Sequence, residues 1–167
     1  MSITMYQASV PVFVRALTNL RAVLQKGEAF AVEKGFAPEV LLQTRLIADM
    51  LPLSRQVQIA ADMAKNGSYR LAGLEPPKIE DDETTFAQLY SRLERTIELL
   101  NQLTAQQIDG SETRDITLKM RTGELQFKGQ AYLLDFVLPN LFFHATTTYA
   151  ILREAGVPIG KMDYMGV

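Results

Sequence analysis

The sequence predicts an all-α four-helix bundle that carries one short β-hairpin before its last helix. Apolar residues recur every three or four positions over most of the chain, which is the spacing of a core-facing helical stripe. A single stretch near residue 120 alternates polar and apolar residues instead, as a strand does. The chain has 167 residues, 47% of them hydrophobic, which suffices for a sizeable core. We therefore expect one domain over residues 1–167.

The first predicted helix begins near Thr4, which with Gln7 fits a capping box, and it ends at Gly27, because glycine is common at helix ends. The segment EAFAVEKG that follows is expected to add a short helix before Pro38. The inner stripe of the first helix consists of Tyr6, Val10, Phe13, Leu17, Leu20 and Leu24.

The second predicted helix runs from about Pro38 to Lys65 and ends at the sequence KNG. The next segment, GSYRLAGLEPPKIEDD, is rich in turn formers, so we expect an ordered connection without helix or strand. A third helix is predicted from about Thr84 to Thr104. The inner residues are Leu42, Leu46, Met50, Leu53, Val57, Ala60 and Met63 or Ala64 on the second helix, and Phe86, Leu89, Leu93, Ile97, Leu100 and Leu103 on the third.

The segment DITLKMRTGELQFKG alternates with a period of two and predicts a short hairpin. We place a two-residue turn at Thr122 and Gly123, because apolar residues then face apolar ones and opposite charges meet. The predicted pairs are Arg121 with Glu124, Met120 with Leu125, and Leu118 with Phe127.

The last predicted helix extends from about Gly129 to Glu154, with Gly156 at its C-terminal cap and Pro158 shortly after. Its inner residues are expected to be Leu133, Phe136, Val137, Leu141, Thr148 and Ile151. The short tail IGKMDYMGV is expected to be ordered by docking.

Composition excludes several function classes. The formal net charge is −2, from 17 basic and 19 acidic residues without a basic block, so no nucleic-acid partner is expected. No apolar run approaches the roughly 18 residues of a membrane helix, and the start MSITMYQASVPVF lacks the features of a signal peptide. We therefore expect a cytoplasmic protein without a membrane partner. The absence of cysteine excludes disulfides and thiolate ligands, and a single histidine excludes a His-Glu-x-x-His zinc motif.

Two prolines, Pro52 and Pro139, fall inside otherwise apolar helices, and we expect each helix to bend there. Polar residues flank both bends on inward stripes, and we expect Asp49 and His144 to face each other inside the bundle. Two interpretations remain open: a buried polar network that only fixes the register of the helices, or a cavity lined by side chains from facing helices. The polar residues are Arg45, Asp49 and Gln56 on the second helix, and Asn140, His144 and Thr147 or Thr148 on the last.

Four long helices with a hairpin before the fourth resemble the DinB-like bundle superfamily. Within it, DMLPLSRQVQIAADMAK and LPNLFFHATTTYAILREAGVPIGKMDYMG resemble an uncharacterised bacterial branch, a domain of unknown function, and the similarity covers essentially the whole chain. The resemblance implies an up-down-down-up bundle that is commonly a homodimer. Many members of the superfamily carry nickel or zinc on three histidines, one from the second helix and two, one turn apart, from the last. Such members include thiol-dependent transferases and isomerases.

This chain departs from the three-histidine pattern. His144 can stand for one ligand on the last helix, but its one-turn neighbours are Asn140 and Thr148, and the second helix offers Asp49 or Gln56 instead of histidine. Amide and hydroxyl groups are poor ligands for such metals. We therefore assign no metal ligand and expect a degenerate site without a tightly bound transition metal, while the identity of any other cofactor stays open.

Three functional hypotheses follow. The first is a small-ligand-binding or purely structural bundle whose pocket is lined by Asp49, Gln56, Asn140, His144 and Tyr149. The second is an enzyme in which His144 is the general acid or base and Asp49 orients its ring. The third is a weak divalent-metal site on Asp49 and His144, in a transferase or hydrolase related to the thiol-dependent enzymes.

Overall fold

The computed structural model describes residues 2–120 and 123–167. It confirms the predicted class, a helical bundle with one short hairpin. The strands are β1 (Asp115–Met120) and β2 (Gly123–Lys128). The helices are α1 (Val10–Lys34), α2 (Glu39–Gln43), α3 (Leu53–Leu71), α4 (Phe86–Asn101), α5 (Ala105–Ile108), α6 (Gly129–Ala131), α7 (Leu138–Glu154) and α8 (Lys161–Met165), and a π-helical turn, Tyr132–Val137, joins α6 to α7.

The bundle consists of α1, α3, α4 and α7, and their side-chain pairs fix an up-down-down-up arrangement. Helix α1 is antiparallel to α4 and parallel to α7, whereas α3 is parallel to α4 and antiparallel to α7. The long connection between α3 and α4 runs back along the bundle, which is why these two consecutive helices are parallel. The pairs are Arg21–Glu94 and Glu28–Tyr90 for α1 with α4, Gly27–Leu152 and Phe30–Gly156 for α1 with α7, Arg55–Asp81 and Asp62–Arg92 for α3 with α4 and its approach, and Gln56–His144 and Arg70–Tyr132 for α3 with α7.

One core lies between the four long helices, and burial of its apolar side chains is the main stabilising term. The predicted stripes supply it, and their central members are fully buried. They include Phe13, Leu17 and Leu24 of α1, Leu53, Val57 and Ala60 of α3, Leu89 and Leu93 of α4, and Leu141 and Ile151 of α7.

The predicted end of the first helix at Gly27 is wrong. Helix α1 continues through the segment EAFAVEK to Lys34 and ends at Gly35, whose φ of 76° is the left-handed conformation of a C-terminal cap. Gly27 is buried, and a Cβ there would lie 2.8 Å from Leu152. The glycine therefore permits the close approach of α7. The capping box of Thr4 and Gln7 forms, but it closes a turn that precedes α1.

The prediction of one helix from Pro38 to Lys65 is also wrong. The chain forms the short α2, an irregular loop over 44–52, and then α3, which continues beyond Lys65 to Leu71. Pro52 is the extended residue that precedes α3, so it starts a helix and does not bend one. The backbone N–H of Leu53 donates to the carbonyl of Thr44 at 2.9 Å and closes the loop.

The hairpin is confirmed, but its predicted register is wrong by two residues. Leu118 lies opposite Leu125 instead of Phe127, and Lys119 lies opposite Glu124. A shift of two keeps every side chain on its face, because the side-chain period of a strand is two, and Ile116 and Leu118 are accordingly buried. Gly123, predicted to lie in the turn, is instead the first residue of β2 and lies opposite Met120, while Arg121 and Thr122 lie outside the described residues.

The last helix has its predicted limits, Gly129 and Glu154, and the bend expected at Pro139 takes the form of the π-helical turn before it. Such turns rearrange the backbone hydrogen bonds where a proline lacks its N–H. Gly156, with a φ of 90°, follows the end of α7. The tail forms α8, which docks on α1. No helix within residues 2–120 or 123–167 has the length and apolar character needed to cross a membrane.

Candidate functional site

His144 lies on α7 and contacts α3 through one short hydrogen bond. Its Nδ1 atom is 2.6 Å from Oε1 of Gln56, which lies in the first turn of α3. Gln56 is 1% exposed, and its Nε2 donates to the carbonyl of Leu51 at 3.0 Å. This chain of two hydrogen bonds joins α7, α3 and the end of the loop over 44–52.

The amide of Gln56 determines which nitrogen of His144 carries the proton. Because Gln56 Nε2 donates to Leu51, its Oε1 faces the imidazole and can only accept, so Nδ1 is protonated. Nε2 of the neutral ring is then an acceptor. It has no hydrogen-bond partner among the described residues and is not one of their buried unpaired atoms, so it reaches solvent. Burial lowers the pKa of His144 below its ordinary value, which favours this neutral form.

One apolar side chain packs against the imidazole, and others are exposed in the loop over 44–52. The ring of Phe143 packs edge-on against the imidazole, with 5.2 Å between the ring centroids, and is 56% exposed. Leu51, whose carbonyl accepts from Gln56, is also exposed, as is Ile47 of the same loop. Exposed apolar side chains that form a contiguous patch are typical of binding surfaces.

Asn140 lies one turn before His144 on the same side of α7. Its Nδ2 donates to the carbonyl of Phe136 at 2.7 Å, inside the π-helical turn. This contact and that of Gln56 with Leu51 satisfy backbone carbonyls near Pro139 and Pro52. Among the described residues Asn140 Oδ1 has no partner, so a second acceptor is available one helical turn from His144 Nε2.

The structure does not bring Asp49 and Tyr149 to this site as predicted. Asp49 lies exposed in a turn of the loop over 44–52, and no hydrogen bond or ion pair joins it to His144 in the described part of the chain. The partner of the Nδ1 atom is Gln56. The prediction that Asp49 orients the ring is therefore wrong. Tyr149 lies on another face of α7, where its ring packs against Tyr164 of α8 at 5.9 Å.

The donor set around His144 does not fit a three-ligand transition-metal site. The residues that stand where the resemblance implies histidines are the amides Gln56 and Asn140, and both hold structural hydrogen bonds. Within residues 2–120 and 123–167 there is also no group of three or more His, Asp or Glu side chains with suitable spacing. Amides are weak ligands for nickel and zinc, so these residues do not form a binding site for either metal.

Sequence reasoning missed a second polar region, the charged cluster of Asp62, Asp81, Glu83 and Arg92 between α3, α4 and the connection before α4. The Arg92 side chain is only 1% exposed. Its Nη2 lies 2.9 Å from Asp81 and 3.1 Å from Asp62, and its Nη1 lies 3.0 Å from Glu83. A signal was present, because Arg92 follows Leu89 by three positions and so falls beside the inner stripe of α4.

Every charge of the cluster has an opposite partner nearby. Burial disfavours the charge of Arg92, yet the hydrogen bond to Glu83 and the neighbouring carboxylates raise its pKa. Burial alone would raise the pKa of Asp81, but the hydrogen bond from Arg55 and the charge of Arg92 lower it overall. Both shifts favour the charged forms of Asp81 and Arg92, and these ion pairs between α3, α4 and the connection before α4 indicate a structural role for the cluster.

Comparison with known proteins places this geometry in context. Residues 5–165 match a family described as a domain of unknown function, DUF1993. The crystal structure of a DinB family member protein from Shewanella denitrificans, at 1.83 Å resolution, is similar to the chain with a TM-score of 0.89 and 39% sequence identity, over 97% of this chain and 92% of that one. No curated protein matches the chain.

Proposed function

The chain belongs to the DUF1993 family of DinB-like bundles, and we propose that it binds a small molecule, without a metal, at His144. The observation that carries the proposal is the 2.6 Å contact of Nδ1 with Gln56, which leaves Nε2 as an accessible acceptor. Because Gln56 is itself fixed by Leu51, the imidazole is pre-oriented before any ligand arrives. Pre-orientation reduces the entropy lost on binding.

The ligand chemistry follows from the two acceptors, His144 Nε2 and Asn140 Oδ1. Both call for a hydrogen-bond donor, such as a primary amide, an amine or a diol, with an apolar portion that rests on Phe143. Gln56 positions the imidazole and does not itself contact the ligand, because both ends of its amide are engaged. Asp49 and Tyr149 are not part of the proposed binding site.

The experiment follows His144 directly. A panel of small amides, amines and diols is titrated into the protein while nitrogen NMR reports the imidazole Nε2 signal. We expect at least one donor class to shift this signal saturably in the wild type and in Glu154→Gln, a control at an exposed position of the same helix. Binding is expected to be lost in His144→Leu. If none of these compounds moves the Nε2 signal at millimolar concentration, the proposed site is wrong.

A second candidate function, general base catalysis, rests on the lowered pKa of His144. A ring that is neutral at pH 7 and exposes Nε2 can accept a proton from a bound substrate. Any activity found must rise with pH through the His144 pKa measured by NMR, and it must be lost in His144→Gln. An activity whose pH profile does not follow that titration excludes this role.

The proposal also includes a homodimer in the bacterial cytoplasm. Large apolar side chains exposed at Leu46, Ile47, Leu51 and Phe143 support self-association. The small residues of α3, Ala60, Ala61 and Ala64, are buried inside the bundle and leave no packing face for a partner copy. Sedimentation equilibrium is expected to give twice the mass of 18.7 kDa, and a monomer at all concentrations would rule the dimer out.

A further inference from the structure

A groove of about 320 Å³ lies on the side of α7 away from His144. Helix α1 forms one wall, α7 contributes Phe142 and Ala145, and α8 closes the end with Tyr164 and Met165. This volume lies at the lower end of the range for small-molecule sites. It has room for on the order of ten water-sized groups. The groove shares no residue with the site at His144.

Two small residues open the groove. Ala16 of α1 and Ala145 of α7 both line it, and neither extends beyond Cβ to fill the space. Helix α8 is fixed beside them, because Lys26 pairs with Asp163 and Asn19 donates to the carbonyl of Tyr164 at 3.3 Å. These two contacts between α1 and α8 make the groove a formed feature of the fold.

The side chains that line the groove carry a net positive charge. Arg15 is the single charged residue among those that line it. Its Nη2 donates to the carbonyl of Met165 at 3.3 Å, and no carboxylate lies within ion-pair distance of it in the described ranges. The guanidinium has five N–H donors in a planar fork that suits a carboxylate. An apolar lining with one uncompensated cation at its edge is complementary to an anion that carries an apolar body.

We propose that this groove binds a small amphipathic carboxylate, with its apolar body between Ala16, Phe142 and Ala145 and its carboxylate on Arg15. The site is independent of the function proposed for His144. Removing the apolar body from water supplies the main driving force, and the guanidinium selects the charge of the head group. A neutral analogue should therefore bind more weakly, and a cationic one more weakly still.

The test uses three probes of equal chain length, octanoate, octan-1-ol and octylammonium, measured by calorimetry on the full chain. We expect one octanoate per chain, with octanol bound about five to ten times more weakly and octylammonium weakest. Arg15→Gln should bring octanoate to the level of octanol. Lys34→Gln, which removes an exposed cation from the far end of α1, should leave octanoate binding unchanged.

Two further variants localise the binding. Ala16→Leu fills the groove and should abolish binding of all three probes. Ala22→Leu makes the same change at an exposed position of α1 and should not alter it. Failure of octanoate to bind, or binding that survives Ala16→Leu, overturns the site. Equal affinity for octanoate and octylammonium overturns the role of Arg15. If no probe binds but Ala16→Leu abolishes self-association, the groove is an interface with a second copy of the chain, and the proposed ligand site is wrong.

Discussion

The two flanks of α3 hold polar side chains in opposite ways. Toward α4, the charged cluster encloses Arg92 with three carboxylates, and Arg55 and Lys65 pair with two of these. Toward α7, one neutral hydrogen bond joins Gln56 to His144 and leaves an imidazole nitrogen exposed. We propose different roles for the two flanks, because paired charges stabilise a fold while an unused acceptor is available to a ligand.

The largest effect is expected from Arg92→Met. The substitution keeps most of the side-chain volume but leaves Asp62, Asp81 and Glu83 close together without their shared cation. Breaking a buried ion pair by removing one partner costs about 3–5 kcal/mol, so we expect a loss of that size in the free energy of unfolding, measured with urea.

The control for this variant is Arg95→Met on the same helix. Arg95 is exposed, and changes at such surface positions usually stay within about 0.5 kcal/mol. If Arg92→Met also lost less than about 1 kcal/mol in the free energy of unfolding, the charged cluster would not stabilise the fold.

A smaller effect is expected on the other flank, from Gln56→Leu. The variant leaves the Leu51 carbonyl and His144 Nδ1 without their partner, which costs about 1–3 kcal/mol. It also removes the group that holds the proton on Nδ1, so nitrogen NMR should show His144 moving toward the other tautomer. Gln43→Leu, at an exposed position of α2, should change neither quantity. An unaltered tautomer in Gln56→Leu would mean that Gln56 does not orient the ring.

Sequence patterns predicted the four long helices of the bundle but not all of their ends, and they missed the loop at Pro52. Leu46 and Met50 continue the helical spacing of Leu42 and Leu53, and this coincidence concealed the irregular segment between α2 and α3. Pro52 itself was the stronger indication of a helix start. A residue that precedes a proline disfavours helical geometry, and proline suits the start of a helix. Pro139 differs because its helix persists around it through a π-helical turn.

The candidate site was predictable only in part, for a related reason. Gln56, Asn140 and His144 lie on helices that form, so helical periodicity relates each of them to a helix face. Asp49 lies in the misread loop, and its predicted position on an inner helical face depended on a helix that does not form there. The charged cluster combines α3, α4 and an irregular connection, and no periodicity in the sequence relates residues in such a connection to a helix face.

Helix α3 approaches the π-helical turn before α7 closely at Gly67. A Cβ at Gly67 would lie 2.7 Å from Val137 in the π-helical turn. Overpacking costs about 1–3 kcal/mol, and alanine in a helix gains about 0.5–1 kcal/mol over glycine. We therefore expect Gly67→Ala to lose about 1–2 kcal/mol net in urea unfolding.

A double-mutant cycle tests the cause. Gly67→Ala combined with Val137→Ala should recover part of the loss, because the smaller side chain makes room for the added methyl group. Gly27→Ala is the comparison variant, since its Cβ would meet the flexible end of Leu152, which can move aside. A cycle without coupling would show that the two helices do not meet tightly at Gly67.

The smallest expected effect is a pH dependence that distinguishes the two flanks. Burial lowers the pKa of His144 below its ordinary value of 6.5. The unfolded chain therefore binds the proton more readily, so the contribution of neutral His144 is complete above pH 6.5 and declines as the pH falls toward the folded pKa. The stability difference between wild type and His144→Gln should thus shrink from about pH 8 to about pH 5.

The lowered pKa of Asp81 acts at lower pH, because its contribution to stability is complete above pH 3.8. The stability difference between wild type and Asp81→Asn should therefore stay constant over the same range. Denaturant titrations of the three proteins at several pH values measure both differences. A constant His144 difference would mean that the imidazole is as well solvated in the fold as in the unfolded chain, and the contrast between the two flanks of α3 would then not extend to proton binding.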